Sequence, residues 1–134
     1  VSFANALNEK AQVVGQSVKM SAPQTSRAFL WESGTMLDLG EAAASHTTSE
    51  ARAINQKGTV VGTSGSGDNA AAWIWRDGTT RDLNALIATH DPNASFVRLQ
   101  LATGINDKDQ IAAQGFDRRR GSSAVRGYLL TPVK

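Results

Sequence analysis

One motif, written three times, constrains this chain more than anything else in it. Ala53-Ile54-Asn55-Gln56-Lys57-Gly58-Thr59-Val60-Val61-Gly62-Thr63-Ser64 is matched position by position by Ala6-Leu7-Asn8-Glu9-Lys10-Ala11-Gln12-Val13-Val14-Gly15-Gln16-Ser17. Gly104-Ile105-Asn106-Asp107-Lys108-Asp109-Gln110-Ile111-Ala112-Ala113 is a third copy. The three asparagines stand 47 and 51 residues apart. A period of this size marks a solenoid, a propeller or an array, whose units cannot bury their apolar faces alone.

Each unit reads as paired hairpins. In the central one, a run ending at Ile54 and a run from Thr59 to Thr63 flank Asn55-Gln56-Lys57-Gly58, an Asn/Gly turn. The second hairpin is Ala71–Trp75, then Arg76-Asp77-Gly78, then Thr79–Leu83; Gly65–Asn69 forms a surface link between the two. Ala28–Gly40 repeats this second hairpin, and Gly127–Leu130 repeats its tryptophan strand, leaving the third unit without a fourth strand. Ala11 and Asp109 stand where Gly58 stands, so the first and third hairpins are expected to use a different turn type. Ala113 replaces Gly62, which implies less crowding there.

The rest follows in chain order. Val18–Ser26 is a polar connection, and Glu41–Ser49 an Ala-rich loop. Asp82 or Asn84 caps a short helical candidate around Leu83–Thr89. His90-Asp91-Pro92-Asn93 is a turn, Phe96–Thr103 a strand, Phe116–Ser123 a basic loop and Val125–Val133 the last strand. The whole is expected to be one all-β domain over 1–134, with units near 1–45, 46–96 and 97–134. The expected fold is three tandem four-stranded, blade-like meanders, a partial β-propeller completed by self-association. A β-trefoil, with three units of similar length closing within one chain, is the rival.

Composition narrows the function classes. With 40% hydrophobic and 19% charged residues the chain is an ordinary globular one. No apolar run approaches the ~20 residues that cross a bilayer as a helix, so no membrane partner is expected. A net charge of +2 is too small for a nucleic-acid surface. Zero Cys excludes disulfides and thiolate metal sites.

Candidate functional residues are few. Trp31, Trp73 and Trp75, with Phe29 and Tyr128, could stack on a sugar, but large aromatics in such repeats serve first as core. Arg118, Arg119 and Arg120 offer a patch for an anionic polymer. Asp38 and Asp82 recur at equivalent positions, which favours a structural hydrogen bond over acid–base work. Asn8, Asn55 and Asn106 fit Asx turns. Asp107-Lys108-Asp109 begins like a calcium loop but lacks its glycine and terminal Glu. His46 and His90 belong to no ligand or triad motif, and Gly62–Gly67 lacks the Lys of a phosphate loop. Neither a catalytic set nor a metal or cofactor site is assigned. Trp31, Trp75 and the three arginines stand as possible ligand or partner contacts.

Ile54–Ser64, Ala28–Gly40 (AFLWESGTMLDLG), Asp82–Ile87 (DLNALI), Gly104–Gly115 (GINDKDQIAAQG) and Gly127–Val133 (GYLLTPV) together resemble the HAF family, a bacterial repeat named for its His-Ala-Phe strand. The likeness covers nearly the whole chain, although Arg27, Ala71 and, depending on alignment, Arg126 or Val125 stand where the naming His is expected. The resemblance implies a propeller-like array in an extracellular setting and no activity. The function expected is thus a non-catalytic structural or interaction module that forms homodimers. A carbohydrate or small-ligand binding module is the alternative, and a hydrolase a more distant one.

Overall fold

The computed structural model describes residues 1–43, 45–87, 91–92, 94–121 and 124–133. It is all-β, with three antiparallel sheets. The first contains β1 (Ser2–Leu7), β2 (Val13–Lys19), β3 (Thr25–Glu32) and β4 (Thr35–Gly40), each paired with the next. The second repeats that meander with β5 (Ser49–Ile54), β6 (Val60–Ser64), β7 (Ala71–Arg76) and β8 (Thr79–Asp82). The third has β9 (Val97–Ile105), β10 (Ile111–Asp117) and β11 (Val125–Leu130), and β11 is left as an edge.

The first turn of each unit is the same in all three, contrary to the expectation of different types. Asn8, Asn55 and Asn106 each accept, on Oδ1, from the backbone N–H groups two and four residues on, at 3.0–3.1 Å. Each turn is closed by matching backbone bonds. The residue three after the asparagine is left-handed in every case: Ala11 at φ 60, Gly58 at φ 84 and Asp109 at φ 60. The Asx hydrogen bonds hold Ala11 in a conformation that costs an L-residue about 1–2 kcal/mol. The second hairpins close through Ser33-Gly34 and Asp77-Gly78, both residues at positive φ, as a two-residue turn with the right twist requires.

Each first hairpin carries a bulge three residues before its asparagine, at Asn5, Arg52 and Thr103. In the first two units a glycine sits opposite: a Cβ on Gly62 would lie 2.0 Å from the Glu50 carbonyl oxygen and 2.8 Å from the Trp73 ring. In the third unit a further shift at Gln100 moves this contact to Gly115, whose Cβ would lie 2.0 Å from the Arg98 carbonyl oxygen. Ala113 is tolerated because the close approach has moved two residues along.

Several boundaries differ from the sequence reading. The Val18–Ser26 connection contracts because β2 runs on to Lys19 and β3 begins at Thr25. Strand pairing likewise carries β10 through Asp117, the start of the expected basic loop, whereas β11 ends at Leu130 rather than Val133. The short helix after β8 is a single 3₁₀ turn, Leu83–Ala85, with Asp82 as its N-cap. The link after β6 also contains a 3₁₀ turn, Gly67–Asn69. His90, Asn93, Ser122 and Ser123 lie outside the described residues.

Two apolar layers hold the sheets together. The first joins Val14, Ala28, Leu30 and Leu39 to Ala51, Ile54, Val60 and Trp73. The second joins Val61, Ala72 and Leu83 to Leu99, Ala102, Ile111 and Ala113. The middle sheet is therefore covered on both faces. Its fully buried Val60-Val61 pair alternates between them, as neighbours on a strand must.

Candidate interaction faces

Cross-strand register turns each sheet into two parallel rows of side chains, one per face. On one face of the first sheet, Leu7, Val13, Trp31 and Met36 are consecutive partners across all four strands. The equivalent row of the second sheet is Ile54, Val60, Trp75 and Thr80, and that of the third is Ile105, Ile111 and Leu130. The second sheet's row packs against the first sheet, and the third sheet's row against the second. The first sheet's row has no sheet over it, so Leu7 is 70% exposed where Ile54 is 8% exposed. Trp31 and Met36 are exposed at 38% and 52%, although Phe29, two residues before Trp31, is buried.

The opposite rows tell the same story in reverse. Ala6, Val14 and Leu30 on the first sheet meet the second, while Leu37 at the end of that row stays exposed, and Ala53, Val61 and Ile74 on the second meet the third. On the third sheet this row is Gly104, Ala112 and Leu129, and Leu129 is 69% exposed. The molecule thus has two open faces of different character: a broad apolar one on the first sheet and a smaller one on the third.

A polar ladder runs beside the apolar layers. The Asn8 amide Nδ2 donates to the Asn55 carbonyl at 3.0 Å, and Asn55 Nδ2 donates to the Asn106 carbonyl at 3.0 Å. One residue on, the backbone N–H of Glu9 donates to Gln56 Oε1 at 2.9 Å, and that of Gln56 donates to Asp107 Oδ1 at 2.8 Å. Asp109 takes the second hydrogen of Asn55 Nδ2 at 2.9 Å and pairs with Lys57 and Arg76, each at 3.2 Å. The acidic residues that opened like a calcium loop are spent on this joint.

The other singled-out residues fall in place individually. Trp73 is fully buried, and Trp75 is half-buried in the first apolar layer. Arg119 turns back, pairing with Asp117 at 2.5 Å and stacking its guanidinium 4.1 Å over the Phe96 ring. The hydrogen bond to Arg119 holds the Asp117 carboxyl well below the usual carboxylate range and raises the Arg119 guanidinium. Arg118 and Arg120 extend exposed on either side, so the arginine run has a folded-back centre rather than three parallel cations. Asp38 binds Arg27 at 3.1 Å and caps the Gly40 N–H at 2.8 Å, and its hydrogen bond raises the Arg27 guanidinium. Asp82 caps Asn84, whose amide grips the Leu99 backbone through bonds of 2.9 and 2.7 Å. His46 Nδ1 shares a 2.8 Å hydrogen bond with Ser64 Oγ. Among the described residues, no three His, Asp or Glu side chains gather as a metal site would need. Nor is any described helix long and apolar enough to cross a membrane.

The tryptophan repeat singles out Trp31 in the sequence, but nothing there marks Leu7, Met36 and Leu129 as exposed apolar residues of the same kind. Register alone reveals them. Comparison with protein-family models, curated proteins and solved structures gave no match.

Proposed function

We propose that this chain is a non-catalytic assembly module, a three-blade segment of a propeller that pairs with a second copy to make a shared ring of six. The observation that carries this reading is the Leu7-Val13-Trp31-Met36 row, exposed at Leu7, Trp31 and Met36, whose counterparts in the other two sheets pack against a neighbouring sheet. Apolar side chains in such a contiguous row favour association. Sheets that hydrogen-bond within themselves and meet through side chains support blades over a trefoil. The resemblance to the HAF repeats points the same way and suggests an extracellular setting. Static light scattering at micromolar concentration tests the proposal: the expected mass is twice the 14.2 kDa of one chain. A compact monomer would refute it.

Carbohydrate binding is the second reading, favoured by the partial exposure of Trp31. It predicts a monomer whose tryptophan fluorescence responds to sugars, with the response lost in Trp31→Ala.

A further inference from the structure

Building on the assembly proposed above, we infer that two copies join head to tail, the open face of the third sheet of one chain seating on the open face of the first sheet of the other. The chain's two internal joints are the template. In each, the earlier sheet gives an asparagine Nδ2 and the next residue's N–H, and the later sheet gives an asparagine carbonyl and the next residue's side-chain oxygen.

The ends of the chain hold the unused halves of this pattern. On the third sheet, Asn106 Nδ2 bonds Gln110 Oε1 at 2.9 Å and has a second hydrogen to give, and the Asp107 N–H has no partner among the described residues. On the first sheet, the Asn8 carbonyl accepts, among the described residues, only from the Ala11 N–H, and Glu9 offers a carboxylate where Gln56 and Asp107 offer their oxygens in the internal joints. Donors stand at one end and acceptors at the other. A face-to-face pairing of two first sheets would set acceptor against acceptor and Glu9 against Glu9, at a cost to the dimer.

The apolar rows match in the same sense. Leu7, Val13, Trp31 and Met36 take the place that Ile54, Val60, Trp75 and Thr80 take at the first internal joint. Gly104, Ala112 and Leu129 take that of Ala6, Val14 and Leu30. A joint built from two different surfaces closes a dimer only if it occurs twice, once at each end.

Complementation separates this geometry from assembly in general. Trp31→Glu spoils the first-sheet face and Leu129→Glu the third-sheet face; both positions are exposed, and circular dichroism and thermal melting serve to check that each variant folds. Each variant alone is expected to be monomeric, because every joint it makes contains a spoiled face. Mixed, the two share one sound joint and form a 1:1 pair, weaker than wild type. It is sought up to ~1 mM chain, the effective concentration that a second joint in a closed pair supplies. Glu9→Gln is expected to leave pairing intact and Glu9→Lys to abolish it. If wild type is a monomer, the assembly reading and this inference both fall. If wild type pairs but Leu129→Glu still pairs, or the mixture stays monomeric, the head-to-tail joint is wrong and assembly itself survives.

Discussion

Alanine at the three equivalent asparagines should have three different effects, set by how many sheets each one touches. Asn55 is 3% exposed and sits in the middle of the ladder. Its Oδ1 holds the Lys57 and Thr59 N–H groups, and its Nδ2 holds the third sheet through Asn106 and Asp109. Truncation removes four hydrogen bonds and strands buried groups, at about 1 kcal/mol net per bond, so a loss of about 4 kcal/mol is expected. Asn8, 5% exposed, has the same turn bonds and one inter-sheet bond, with a further bond to Gln12 inside its own turn. Of these four bonds only the one to Asn55 crosses between sheets, and the part-buried Gln12 bond is readily replaced by water, so the loss in Asn8→Ala should be about 3 kcal/mol. Asn106 is exposed, and among the described residues its side chain bonds only within its own turn, to Lys108 and Gln110, so about 1–2 kcal/mol is expected there. Urea unfolding of the three variants, at chain concentrations dilute enough to keep the protein unpaired, reads the order directly. Equal losses at the three sites would show that the asparagines act only as turn formers, and the ladder argument would fail. Repeating the series at concentrations where copies pair should enlarge the Asn106→Ala effect most, since that side chain then meets a neighbour.

Three further outcomes follow from the local geometry. Ala11→Gly should raise stability by about 0.5–1 kcal/mol in urea melts, relieving the left-handed alanine less the extra freedom of glycine when unfolded. Gly62→Ala should cost about 3 kcal/mol or prevent folding, because its Cβ meets the Glu50 carbonyl and the buried Trp73 ring; a near-neutral melt would contradict the bulge geometry. Asp117 has a lowered carboxyl pKa when folded, so its contribution is whole above the unfolded value of about 4 and is lost as pH falls through the lower folded one. The stability gap between wild type and Asp117→Asn should therefore be full at pH 7 and close progressively below about pH 4 in pH-dependent urea melts.

The repeat and its hairpins were legible because period-two alternation and turn residues are local properties. Trp73 and Trp75 announced a shared face, and Asn8, Asn55 and Asn106 announced Asx turns. What failed was what depends on neighbours. Ala11 was read from its own conformational cost, yet the Asn8 side chain and the backbone closure impose the same turn on it as on Gly58. Ala113 was correctly read as less crowded, but the relocation of the tight contact to Gly115 depends on a second bulge that no residue type signals. The fold-back of Arg119 within the arginine run was not legible, because nothing local shows that β10 continues to Asp117, close enough to draw Arg119 onto Phe96. That three units leave faces open follows from their number, but which residues line them does not: Leu7 and Ile54 are interchangeable in sequence, and only the stacking order leaves one bare.

The inequality of those two faces also bears on how assembly ends. A joint between unlike surfaces repeats indefinitely unless the rotation it imposes returns to its start. Two chains contribute six sheets, so closure as a pair requires roughly 60° between neighbours, within the range that propellers of about four to eight blades use. The proposed joint between chains would differ from the two internal ones in its small Gly104-Ala112-Leu129 row, which would let the large Trp31-Met36 row approach closely without a clash of equals. If the angle closes, mass measured against concentration rises to two chains and stays there. If it does not, the same donors and acceptors build a filament whose mass keeps climbing, and Leu129→Glu at trace levels would cap its growth at one end. A plateau at two chains combined with loss of pairing in Leu129→Glu selects the ring, and continued growth refutes the six-sheet closure while leaving the joint itself intact.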